Sequence, residues 1–171
     1  DIKVICIDGA NRKWIGTQKN GIYLLSADGL ETIHHFTSEN SPLLSDNIQS
    51  ITINPYNGEV FIRTDKGLVS YKSDATEAET SFNDDNVYAY PNPVRSNYDG
   101  IIAITGLVRD SDVKIVDISG KLIYSGTSVG GQFTWNGKNR TGKRVASGVY
   151  LVLATNSEGK EGIVTKITMI K

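Results

Sequence analysis

The residues able to do chemistry in this 171-residue chain are few, and their spacing limits what they can do. His34 and His35 are adjacent. Neighbouring residues of a strand point to opposite faces, so the pair cannot chelate one ion together. Cys6 is the single cysteine, which leaves neither a disulfide nor a thiolate ligand pair. On Ile5-Cys6-Ile7 it reads as a small buried hydrophobe. Asp84-Asp85-Asn86 and Asp110-Ser111-Asp112 offer oxygen ligands but lack the ligand periodicity and closing Glu of a calcium loop. No Gly-x-Ser-x-Gly elbow is present, and the glycine-rich stretch from Gly126 to Gly131 leads into a strand pattern, without the helix N-terminus that holds phosphate. These observations point to no enzyme, no cofactor and no metal. What remains is a basic set, Lys138, Arg140, Lys143 and Arg144, spaced among Gly and Asn in one turn region. Such a set reads first as a solvated hairpin tip, and second as a contact for an anionic partner through several cations acting together.

Charge along the chain follows a gradient. Residues 1–72 carry 7 basic and 8 acidic side chains, residues 73–90 carry 0 and 5, and residues 91–171 carry 11 and 6. The carboxy-terminal half therefore bears +5, which favours acidic partners. Aromatics are not interleaved with its cations as a base-stacking platform requires, so nucleic acid is not expected. No apolar run approaches the ~18 residues of a membrane-spanning helix; the sequence begins directly in a strand pattern, so any signal peptide is expected upstream of it.

The elements that must position these residues read as strands. Asn11-Arg12-Lys13-Trp14-Ile15-Gly16-Thr17 with Gly21-Ile22-Tyr23 returns as Asn57-Gly58-Glu59-Val60-Phe61-Ile62-Arg63-Thr64 with Gly67-Leu68-Val69. Ile5 and Ile7 fall on Ile51 and Ile53 at a spacing of 46. Periods of about 40–50 residues built from short strands and glycine turns mark β-propeller blades, of which a closed ring needs about four to eight. The pattern predicts strands near 2–8, 12–17, 21–26 and 31–36, then 48–54, 59–64 and 67–72. Turns fall at Asp8-Gly9, Asn20-Gly21 and Asp28-Gly29, each reading as a positive-φ hairpin. The first strand is apolar on both faces and is expected to be buried on both.

From Ser73 to Asn86 the composition turns acidic and poor in apolar residues, and reads as an exposed linker. Beyond it the blades do not recur. About seven strands are expected, near 87–90, 100–106, 112–118, 121–125, 131–135, 148–155 and 163–170, at the turn spacing of a sandwich. Phe133 and Trp135 share a face as an apolar anchor, and Val149–Leu153, apolar on both faces, reads as central. Pro91 and Pro93 cannot donate to a ladder and suit a sheet edge.

Two resemblances cover nearly the whole sequence. Residues 1–72, through "NRKWIGTQKNGIYLL" and "LLSDNIQSITIN", resemble the two-component-regulator propeller repeats of Bacteroidetes periplasmic sensor regions and of secreted proteins from those bacteria. Residues 88–171 resemble the type IX secretion C-terminal sorting domain and the Ig-like domain of the flagellar hook-capping protein. The matching residues are Tyr90-Pro91-Asn92-Pro93, the run from Val113 to Ile123, Trp135-Asn136-Gly137, Arg140-Thr141-Gly142, Ala146 to Tyr150, and Lys166 to Lys171.

The expectation is thus an all-β chain in three parts. Residues 1–72 form two β-propeller blades, a fragment of a larger propeller; residues 73–86 an acidic linker; residues 87–171 an Ig-like sandwich. The resemblance implies an exported surface protein whose sandwich is the secretion signal, of a kind usually removed on arrival, and whose propeller binds a glycan or protein. Implied partners are the secretion machinery or an anionic envelope glycan, with self-association through exposed blade edges. The alternative is a periplasmic sensor of a hybrid two-component system binding an oligosaccharide; against it, Met169-Ile170-Lys171 reads as a terminus. An active site in upstream blades stands as a third reading.

Overall fold

The computed structural model describes residues 1–159 and 162–170. It divides into two compact units, Asp1–Glu77 and Ala78–Lys171, and all its regular elements among the described residues are strands.

The first unit holds two meanders. β1 (Ile2–Ile7), β2 (Lys13–Thr17), β3 (Ile22–Leu25) and β4 (Thr32–Phe36) form a four-stranded antiparallel sheet in sequential order. β5 (Ile48–Ile53), β6 (Glu59–Thr64) and β7 (Gly67–Lys72) form a three-stranded one. These are the two expected blades. Cys6, Trp14, Leu24 and His34 face one another across the first sheet, as do Gly16 and Ile22. The buried core joins Trp14, Ile22 and Leu24 of this face to Ile48, Ile51, Val60 and Ile62 of the second blade. Phe36 stacks over Trp14 at 6.2 Å and 7°.

Burial of the first strand on both faces is not observed. Val4 and Cys6 pack on the core, while Ile5 and Ile7 are each 58% exposed. Stacking within residues 1–77 covers one side of β1 and leaves the other open. A second correction concerns Gly9, whose φ is not positive; the left-handed residue of that turn is Asn11, φ 61°. Glycine is required at position 9 for close approach, since a Cβ there would lie 2.0 Å from the Thr76 carbonyl oxygen. Gly21 and Gly29 do adopt the expected positive φ, 67° and 76°.

The acidic stretch 73–86 is exposed over most of its length, but its start is built into the first unit. Ser73, Ala75 and Thr76 are buried, Ser73 N–H donates to the Gly58 carbonyl (3.0 Å), and Glu77 N–H to that of Pro55 (2.8 Å). Its later residues join the second unit: Glu79 N–H donates to the Leu107 carbonyl (3.0 Å), and Phe82 packs on the core there. Low apolar content misled because the short Ser73 side chain buries at little cost once Arg12 hydrogen-bonds its hydroxyl.

In the second unit β8 (Tyr88–Tyr90), β9 (Ile102–Thr105), β10 (Asp112–Asp117), β11 (Leu122–Thr127), β12 (Gln132–Trp135), β13 (Gly148–Thr155) and β14 (Gly162–Met169) make two antiparallel sheets, ordered β12-β9-β8 and β11-β10-β13-β14. These are the seven strands of the sandwich. Phe133 and Trp135 enter the core together with Ile104, Ile115, Val152, Ile167 and Met169, and Trp135 meets Tyr150 edge-on at 5.9 Å. β13 is an inner strand, as its two apolar faces predict, and β8 lies at an edge just before Pro91.

Candidate recognition surfaces

The basic hairpin lies between β12 and β13. Trp135 anchors it from the core, its indole N–H donating 2.7 Å to the Lys138 carbonyl. Asn139 organises the tip: its Oδ1 accepts from Thr141 N–H (3.1 Å), Thr141 Oγ1 (2.8 Å) and Lys143 N–H (3.0 Å). Lys138 and Arg144 then face each other in an antiparallel bridge. A tip closed on its own backbone sends long cationic side chains outward, and Lys138, Arg140 and Lys143 are exposed.

Arg144 departs from the expected solvated set. Its Nη2 donates to the Tyr98 carbonyl at 2.8 Å and to that of Arg95 at 3.4 Å, and Nη1 lies 3.7 Å from the exposed Asp99 carboxylate. The hairpin thereby presents three free-standing cations and one cation spent on holding the 95–99 loop. Nη2 thus serves both carbonyls while Nη1 stays directed at Asp99, so the planar guanidinium uses two of its nitrogens on one loop.

The Tyr90-Pro91-Asn92-Pro93 segment acts on the last strand. Asn92 Nδ2 donates to the Lys166 carbonyl (2.9 Å), and its Oδ1 accepts from Thr168 N–H (3.0 Å). Val94 extends the clamp, donating to the Thr168 carbonyl (2.8 Å) and accepting from Ile170 N–H (2.9 Å). The peptide bonds before Pro91 and Pro93 are cis. Sequence reasoning gave this segment only an edge role; the doubly bonded Asn92, flanked by two prolines that cannot donate, was the available signal. Lys171, the end of the quoted motif, lies outside the described residues.

A second missed surface is the outer face of the larger sheet. Val149, Leu151 and Leu153 of β13 pair across to Thr168, Lys166 and Val164. Val149 and Val164 are 40% and 59% exposed, giving an apolar band bordered by Lys114 and Lys166. The two-faced apolar pattern of β13 contained this signal, read there only as a central place in the sheet.

In the first unit, His34 and His35 point to opposite faces as expected, His35 stacking on Tyr23 at 4.0 Å and His34 leaning on Phe36 at 5.4 Å. Burial pushes the Cys6 thiol above its ordinary pKa, so the inert hydrophobe fits it better than a reactive thiolate. Among the described residues no group of three or more His, Cys, Asp or Glu side chains could hold a metal ion.

Residues 88–170 match the secretion system C-terminal sorting domain. The structure of PorZ, an essential bacterial surface component of the type-IX secretion system of Porphyromonas gingivalis, aligns with a TM-score of 0.65 at 39% identity. That match covers 99% of this chain and 23% of PorZ, so the chain spans about a quarter of that relative's length. Weaker matches are latent PorU of the same bacterium (TM-score 0.37, 16% identity, 66% of this chain and 12% of that one) and the extracellular domain of BT4673 from B. thetaiotaomicron (TM-score 0.33, 12% identity, 100% and 25%). No curated protein matches the chain. Residues 88–170 are similar to secretion-system C-terminal sorting domains, and the protein is an exported one of the cell surface or periplasm.

Proposed function

We propose that the sandwich is the address by which this protein is recognised during export, and that the basic hairpin contributes the contact with an acidic partner, either the secretion machinery or an anionic envelope glycan. The sorting-domain match over residues 88–170 carries this reading. Lys138, Arg140 and Lys143 are exposed on one closed tip, where clustered cations attract an anion over about one Debye length, ~8 Å at physiological salt. Arg144 shapes the tip from beneath. The two blades serve binding of a glycan or protein and do no catalysis. PorZ, to a quarter of which the chain is 39% identical, is itself a surface component of such a system.

The test is export of a reporter fused to residues 78–171 in a bacterium with type IX secretion. The fusion is expected to reach the surface, and Lys138→Ser/Arg140→Ser/Lys143→Ser to reduce delivery while leaving the fold intact. Binding of the parent domain to isolated envelope glycan or to detergent-extracted outer-membrane proteins is expected to weaken as salt rises. Full delivery by the triple variant, with salt-independent binding, returns the hairpin to a solvated tip.

A further inference from the structure

Two turns at one end of the sandwich are built on one pattern. Asp117-Ile118-Ser119-Gly120-Lys121 joins β10 to β11, and Asn139-Arg140-Thr141-Gly142-Lys143 forms the tip of the basic hairpin. Asp117 Oδ1 accepts from Ser119 N–H (2.9 Å), Ser119 Oγ (2.6 Å) and Lys121 N–H (3.1 Å), the same three bonds that Asn139 Oδ1 receives in its own turn. Gly120 and Gly142 take φ of 84° and 80°. The turns lie side by side, since Arg140 N–H donates to the carbonyl of Ile123 (3.2 Å), two residues beyond Lys121.

Each turn satisfies its own backbone, which leaves the second and last side chains to solvent. Ile118 and Lys121 are exposed in one, Arg140 and Lys143 in the other. Ile118 is the odd member, 82% exposed at the position where the twin turn carries Arg140. It does not stand alone. One step beyond the last β10–β13 pair, Asp117–Tyr150, it reaches the level of the half-exposed Val149, and β11 adds the exposed Leu122 beside Val116. An apolar centre with charged residues at its border is the composition of a protein-binding hot spot.

We propose that the twin turns form one docking surface for a protein partner that offers an apolar socket bordered by Asp or Glu. Ile118 is the anchor, and Lys121, Arg140 and Lys143 steer the approach. This rests on the reading of the basic hairpin as a contact, and chooses between its two partners. An anionic glycan satisfies cations but has no enclosed apolar site for a branched aliphatic side chain. Charge complementarity sets the acidic border: within the two turns three exposed cations meet one carboxylate, that of Asp117, whose Oδ1 is already taken by turn donors.

The experiment begins with a photo-crosslinking aromatic residue in place of Ile118, in the protein exported by a bacterium with type IX secretion. One protein adduct is expected, through a peptide that combines apolar and acidic residues; no protein adduct overturns the proposal. Binding of the captured protein, purified, to the 171-residue chain is then timed. Ile118→Ser is expected to speed dissociation about tenfold with the salt dependence unchanged, and Ile118→Leu to restore it. Lys121→Ser is expected to slow association about twofold and flatten the salt dependence. If neither variant moves the rates while Lys138→Ser/Arg140→Ser/Lys143→Ser weakens binding, the docking surface falls and the hairpin contact stands. The same holds if the chain binds protease-treated envelope glycan as tightly as it binds the protein. A triple variant that binds like the parent removes both.

Discussion

Two arginines, one in each unit, sit in turns and hold a distant stretch of chain, yet they do so on different terms. Arg12 Nε lies 2.8 Å from Asp8 Oδ2, in a pair whose side chains are 10% and 0% exposed, and its Nη2 reaches Ser73 and the half-exposed Asp74. Asp8 also accepts from the backbone N–H groups of Ala10 and Arg12, both at 3.0 Å, and from the Trp14 indole at 3.1 Å. Arg144 instead holds two carbonyls and an aspartate that is 92% exposed. Both tie residues 46 or more positions away. The buried site cannot lose one partner without leaving a charge in a dry interior, whereas water can replace what Arg144 loses. Burial, more than the number of hydrogen bonds, sets how much each contact matters.

The largest effect should follow from Asp8→Ala. It strands the Trp14 indole and leaves Arg12 with only the half-exposed Asp74 as counter-charge, and removing one partner of a buried pair costs about 3–5 kcal/mol. Pulsed hydrogen exchange read by mass spectrometry separates the two units; residues 1–77 should unfold at lower urea while the sandwich is unaffected. Asp8→Ala/Arg12→Met should recover part of the loss because no charge is then left buried. Failure of the double variant to improve on the single one would mean that the carboxylate acts chiefly through the turn backbone and Trp14.

An intermediate effect is expected at the other arginine. Arg144→Ser should destabilise the sandwich by about 1 kcal/mol, the scale of a partly exposed hydrogen-bonded group. Replacing Lys138, Arg140 and Lys143 by Ser should stay within about 0.5 kcal/mol each. Urea melts of residues 78–171 measure both. A triple variant that costs more than Arg144→Ser would show that the exposed cations are structural, against the division of labour drawn here.

These side chains also mark where the sequence stopped being legible. The strands were readable because alternation and glycine turns are local: Phe133 and Trp135 are both buried as their shared face implied. The roles of Arg12, Arg144 and Asn92 were not, because each is fixed by a partner 46 or more residues away. Nothing in a run of Lys, Arg, Asn and Gly distinguishes the cation that reaches the Tyr98 carbonyl from the three that do not. The acidic stretch failed for the same reason. Ser73 looks solvated until the arginine it meets is known.

The smallest predicted effect probes the Arg12 site by pH. Tyr71 is held above its ordinary pKa first by burial and then by the Asp74 carboxylate, with Arg12 opposing both. A raised phenol favours the neutral form in the folded protein. Its contribution to stability is therefore complete below the unfolded tyrosine value and is lost as pH rises through the higher folded one. The first unit should weaken in that alkaline window, and Tyr71→Phe should remove this part of the slope. Asp74→Asn should lower the Tyr71 pKa, yet leave it above the ordinary value because burial is the larger cause. Difference absorbance titration of phenolate, parent against Tyr71→Phe in each background, reads the shift. A Tyr71 pKa unmoved by Asp74→Asn would show that the Arg12–Asp74 contact does not persist in solution, leaving Asp8 and Ser73 as the partners that hold the arginine.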